Sequence, residues 1–93
     1  MKRLTAEKAR NSLKRVPLWT KRGQLISRTY VFTDFVKAMA FVSKVAVIAE
    51  SRDHHPDIDI RWNKVKLGLS THSAGGLTVK DFALARLCDA LVA

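Results

Sequence analysis

Residues 57–71, Asp-Ile-Asp-Ile-Arg-Trp-Asn-Lys-Val-Lys-Leu-Gly-Leu-Ser-Thr, decide how this chain folds. Two runs in which apolar and polar residues alternate flank Asn63-Lys64, and a period of two is that of a half-buried strand. Asparagine tolerates positive φ, so Asn63-Lys64 is expected to form a two-residue hairpin turn. Such a turn sets Trp62 opposite Val65, Ile60 opposite Leu67 and Ile58 opposite Leu69 on one face. Asp59 then faces Gly68, and Asp57 faces Ser70, on the other. One apolar and one polar face is the pattern of an antiparallel sheet covered on one side only.

Upstream, Gln24 to Phe32 alternate in the same way, and with Leu18 to Thr20 across Lys21-Arg22-Gly23 they read as a second hairpin. Between the hairpins, Thr33 or Asp34 opens the longest helix. Its Phe35, Ala38, Met39, Val42, Val45, Ala46 and Ala49 keep the three-four spacing of a buried stripe. Val36, Phe41, Val47 and Ile48 widen that surface beyond one stripe, as contact with a second helix or another subunit requires. Thr5 can cap a first helix that runs to about Leu13, before Pro17. After the loop Ser73-Ala74-Gly75-Gly76-Leu77, Thr78 and Asp81 have capping-box spacing, which assigns Asp81 to the last helix. That helix can bury Phe82, Ala85, Leu87, Cys88, Leu91 and Val92. The order α-β-β-α-β-β-α implies an α+β fold, a four-stranded antiparallel sheet with three helices packed on one face, as a single domain over residues 1–93.

A chain of 93 residues has room for one modest core, so shared apolar faces between subunits are favoured. Its single cysteine, Cys88, excludes an intrachain disulfide and the paired-cysteine zinc patterns, which fits a cytoplasmic setting. No apolar run approaches the roughly 18 residues of a membrane span, and no signal-peptide core is visible. The net charge of +9 is concentrated toward the N-terminus: residues 1–37 hold ten Lys/Arg against Glu7 and Asp34. A basic nucleic-acid-binding module is therefore one reading to weigh, but no binding motif or aromatic stacking platform accompanies the charge, and solvated surface is the expected role.

All three histidines lie within nineteen residues, at His54, His55 and His72. Carried past the strand ends, the hairpin pairing puts His55 opposite His72, with His54 beside it. Imidazoles that titrate near neutrality suit general acid–base chemistry, and Glu50, Asp53 and Asp57 stand close enough in sequence to orient them. A metal site is not expected, since no HExxH spacing occurs and two adjacent histidines rarely reach one ion from regular backbone.

Glu50-Ser51-Arg52-Asp53-His54-His55-Pro56, Trp62-Asn63-Lys64-Val65, Leu69-Ser70-Thr71-His72-Ser73-Ala74-Gly75-Gly76-Leu77-Thr78 and Asp81 together resemble the signature of the pterin-4a-carbinolamine dehydratases. The resemblance is close over about half the chain, and looser through Trp19, Ile26-x-Arg28 and Phe32-Thr33-Asp34-Phe35. It implies an enzyme that takes water from 4a-hydroxytetrahydropterin, with pterin as substrate and neither cofactor nor metal. It further implies that His54, His55 and His72 are the catalytic histidines, with Glu50 as their acidic companion, and that Pro56, Thr71, Ser73 and Ala74 contact the pterin. The family's dimers and tetramers imply a homodimer or homotetramer here. Many members carry an aromatic residue at the position of Ile58, so one wall of the pocket differs. A dimerisation-cofactor module with a vestigial pocket stays open beside the enzyme reading.

Overall fold

The computed structural model describes residues 1–93. Helix α1 (Ala6–Leu13), strands β1 (Thr20–Arg22) and β2 (Leu25–Val31), helix α2 (Phe35–Ser51), strands β3 (Asp57–Arg61) and β4 (Lys64–Leu69), and helix α3 (Val79–Ala90) follow in the expected order. The strands form one antiparallel sheet in the order β1-β2-β4-β3, so the two hairpins join through β2 and β4. Thr5 caps α1, Asp34 caps α2 by accepting the Lys37 N–H, and Thr78 caps α3. Each side-chain oxygen satisfies one of the N–H groups that a first helical turn leaves open.

Both hairpins turn away from their expected places, the second one residue earlier and the first one to two residues later. The second pairs Arg61 with Lys64, Ile60 with Val65 and Ile58 with Leu67, so the turn is Trp62-Asn63. Trp62 takes the positive φ, 50°, that was expected of Asn63. The cause lies in β2: the Asn63 carbonyl accepts from the Phe32 N–H at 2.8 Å, and its side-chain amide donates to the Phe32 carbonyl at 2.9 Å. Bound to Phe32 on both counts, Asn63 continues the β2–β4 ladder and leaves the left-handed conformation to its neighbour. The displacement moves each partner by two positions, which preserves the faces. It does not set His55 opposite His72. The first hairpin turns at Gly23-Gln24, with Arg22 paired to Leu25, because Gly23 supplies the positive φ of 56°.

Ile26, Tyr30, Val65, Leu67 and Leu69, from the two inner strands, make the floor of the core, against Ala38, Phe41 and Val45 of α2 and Phe82, Leu84, Ala85 and Cys88 of α3. The buried stripe of α2 runs through Phe41 as well as Ala38, Val45 and Ala49, whereas Phe35 and Ala46 are exposed. Leu84 of α3 is inside, and Val92, past the end of the helix, is outside, the reverse of the sequence expectation. Edge strand β3 is uncovered throughout, leaving its Ile58 and Ile60, and Trp62 in the turn after it, in the open.

Asp89, at the end of α3, ties the far side of this core together. One of its oxygens accepts from Trp19 Nε1 at 3.0 Å, the Arg28 guanidinium at 2.7 Å and the Tyr30 hydroxyl at 2.5 Å. Beside it the Cys88 thiol is pushed up to about 12, first by burial and then by the Asp89 carboxylate. An unfolded cysteine ionises near 9.0, so thiolate formation favours the unfolded chain. The Cys88 share of stability is therefore intact below that pH and is lost as pH rises toward the folded value. Denaturant unfolding from neutral pH to about 11 should show wild type losing stability more steeply above about 9 than Cys88→Ala. Parallel pH profiles would contradict the assignment.

Candidate active site

The C-terminus of α2 aims the histidine pair. Asp53 adopts the left-handed conformation (φ 48°), its N–H meets the Glu50 carbonyl at 3.2 Å, and the His54 N–H meets the Ala49 carbonyl at 3.1 Å. These are the two bonds of a Schellman ending, with aspartate at the position usually given to glycine. The chain reverses there, and consecutive residues diverge: His54 turns in toward α3, while His55 stays at the surface.

His54 Nε2 stands 2.6 Å from Asp81 Oδ1, with only 11% of the histidine side chain exposed and none of the aspartate's. Asp81 Oδ2 accepts the Thr71 hydroxyl at 2.9 Å and the Thr78 N–H at 2.9 Å. The Thr71 and Thr78 hydroxyls are themselves 2.9 Å apart. Asp81 thus completes the capping box foreseen from its spacing and, with its other oxygen, holds a histidine. The second role was missed. The available signal was a carboxylate at the N3 position of an otherwise apolar helix face, which is costly to bury unless it is fully bonded. A carboxylate only accepts, so Nε2 carries the hydrogen and Nδ1 is left as the free ring nitrogen of His54.

His55 Nε2 lies 3.0 Å from Glu50 Oε2, and both side chains are mostly exposed. Glu50 is thus placed with His55; Asp53 and Asp57 hydrogen-bond neither histidine. His72 opens a 3-10 turn over His72–Ala74, ended by Gly75 in the left-handed region (φ 73°). Its side chain is exposed and makes no hydrogen bond to His54 or His55. What links it to His54 is Thr71, immediately before it, whose hydroxyl is bound to the carboxylate that holds His54. Pro56 is half-buried after the pair; Ser73 is exposed and Ala74 half-buried in the turn. Thr71 is buried with its hydroxyl already engaged, as an anchor of the site.

A cavity of about 210 Å³ lined by Arg52, His54, Lys80, Ala83, Leu84 and Leu87 opens beside the His54 ring. A more open groove lies along Ala46, Val47, Glu50 and Ser51, on the Glu50 side. No three His, Cys, Asp or Glu side chains converge as a metal-ligand group. No helix is long and apolar enough to cross a membrane.

The arrangement is that of an α+β protein carrying a carboxylate-braced histidine, with a second histidine–carboxylate pair beside it. The family model described as pterin 4 alpha carbinolamine dehydratase matches residues 2–91. A protein of Acidobacterium capsulatum that carries the pterin-4-alpha-carbinolamine dehydratase name is 51% identical over 92 residues, covering 99% of this chain and 100% of its own length. The crystal structure of a transcriptional coactivator/pterin dehydratase from Brucella melitensis superposes with a TM-score of 0.94 at 34% identity, over 98% of this chain and 99% of that one. This chain belongs to the pterin-4a-carbinolamine dehydratase family. A pterin dehydratase-like protein identified as a RuBisCO assembly factor in the alpha-carboxysome has a TM-score of 0.65 at 22% identity, over 78% of this chain and 84% of its own, and shares the fold alone.

Proposed function

We propose that this chain dehydrates 4a-hydroxytetrahydropterin to quinonoid dihydropterin, so that the tetrahydropterin cofactor of a hydroxylase can be recycled in the cytoplasm. The C4a–oxygen bond breaks as a proton reaches the departing hydroxyl, a proton leaves the ring nitrogen, and a C=N bond forms. No electron is gained or lost, so acid–base groups suffice and neither cofactor nor metal is called on. His54, His55 and His72 transfer the protons, and Glu50 orients His55. Asp81 holds the His54 ring, and Pro56, Thr71, Ser73 and Ala74 frame the pterin. The observation that carries this reading is the 2.6 Å His54–Asp81 pair, joined through Thr71 to the turn that bears His72.

The test follows the decay of enzymatically generated 4a-hydroxytetrahydropterin with and without protein. Wild type should accelerate it, and each histidine-to-alanine change should cost a factor of about 10²–10⁴, compressed toward the uncatalysed background. Double changes should be less than multiplicative, as for groups acting in one unit. Three single variants all turning over at the wild-type rate would sink the proposal.

The working form is a homodimer or homotetramer. The outward face of α2 presents Val36, Ala40, Ser43 and Val47, with Val36 74% and Val47 71% exposed, flanked by the exposed Lys37 and Lys44. An apolar helix face of this length is what a second copy covers most economically. Val47→Glu places an acidic charge on this face and should shift the mass measured by light scattering toward the monomer without changing the circular dichroism. An unaltered mass would remove α2 from the interface.

A further inference from the structure

Gln24 sits in the β1–β2 turn, remote in sequence from every histidine, yet its side chain reaches the arm beneath the His72 turn. Its Oε1 accepts the Leu77 N–H at 3.0 Å. Leu77 is fully buried, and an amide there needs an acceptor. On the same segment, the Leu77 carbonyl accepts the Leu4 N–H at 2.8 Å, and Arg3 reaches the Gly75 carbonyl at 3.4 Å. The side chain of Gln24 lies so close that a Cβ on Gly76 would run into Gln24 Oε1 and come within 2.5 Å of Arg3 Cδ. A side chain on Gly76 would therefore have to displace the ends of Gln24 and Arg3.

That arm carries the site on both sides. Gly76 and Thr71 exchange two backbone hydrogen bonds, 3.1 and 3.2 Å, which close the loop holding His72. Thr78, the next residue after Leu77, gives its N–H to the carboxylate that holds His54. We propose that Gln24 is a positioning residue for the active site, setting through Leu77 and the Thr71–Gly76 bridge where His72 stands relative to His54 and Asp81. The inference rests on the dehydratase reading, and one arm of its test is independent of that reading.

Gln24→Ala should speed hydrogen exchange at the Leu77 amide at least tenfold, whereas Gln24→Glu, which keeps an acceptor oxygen, should leave it near wild type. Unchanged exchange in Gln24→Ala overturns the clamp whatever the enzyme does. In the dehydration assay Gln24→Ala should lower kcat by about 3- to 100-fold, because small displacements of a reacting group are costly, and Gln24→Glu should restore it. Placed on His72→Ala, Gln24→Ala should cost almost nothing more. A full, multiplicative loss in that background means that Gln24 does not act through His72 and overturns the proposal. Gly76→Ala supplies a steric check: its loss of activity should be smaller on Gln24→Ala than on wild type, since the obstructing oxygen is gone, and an equal loss in both counts against the clamp. Should wild type itself leave the decay of 4a-hydroxytetrahydropterin unchanged, the functional reading fails while the exchange result still decides the clamp.

Discussion

Replacing Asp81 by asparagine should lower dehydration by about 10²-fold or more and destabilise the fold in the same step. The two losses have different origins. Asparagine keeps one carbonyl oxygen, so it can retain a bond from Thr78 or Thr71, but its amide turns a donor where a carboxylate accepted. Facing His54 Nε2, that donor favours the other tautomer and removes the negative charge that would steady a protonated ring. The stability cost should be about 1–3 kcal/mol, since Asp81 is fully buried and one of its bonds to Thr71, Thr78 or His54 becomes mismatched. Thr78→Ala is the control: it removes the cap hydroxyl and should cost about 0.5–2 kcal/mol while retaining most activity. Full turnover by Asp81→Asn would return the residue to a purely structural role and leave His54 without a partner that matters.

Asp89→Ala should produce the largest loss of stability, about 3–5 kcal/mol, with little effect on the chemistry. One oxygen serves three donors from two parts of the chain: Trp19 before β1, and Arg28 and Tyr30 on β2. Trp19 and Tyr30 are buried, so removing the acceptor leaves an indole N–H and a phenol O–H unsatisfied in the core, beside a guanidinium packed 4.1 Å from the Tyr30 ring. Domains of this size are held by roughly 5–15 kcal/mol, and each kcal/mol lost lowers the melting temperature by about 4–8 °C. A fall of about 12 °C or more by calorimetry is therefore expected, with Asp89→Asn intermediate because its carbonyl still accepts. A melting temperature within a few degrees of wild type would show that water replaces the carboxylate.

Element order and type could be read from the chain because local patterning speaks for itself: alternation in 57–61 and 64–69, a three-four stripe in 35–51, and threonine or aspartate before each helix. Face assignment survived even where pairing did not, since a shift by two positions leaves a period of two unchanged. Turn positions were not legible. Asn63 has the side chain for positive φ, but two hydrogen bonds to Phe32, thirty-one residues away, hold it elsewhere. No local rule contains a partner at that distance.

The candidate site divides along the same line. The pattern that carries His54, His55, His72 and Glu50 was legible as a family signature, and the family match over residues 2–91 agrees with it. Their pairing is another matter: hairpin arithmetic set His55 against His72, whereas a helix ending at Asp53 sends His54 inward to Asp81 and leaves His55 with Glu50. The sequence by itself determined the elements, the sheet's two faces and the family to which the chain belongs, because these depend on neighbours along the chain. Only the tertiary structure decided that Asp81 is both cap and histidine partner, that Asp89 gathers three donors and that Gln24 reaches Leu77. Each is a bond between residues far apart in sequence, chosen by which polar groups burial leaves in need of a partner.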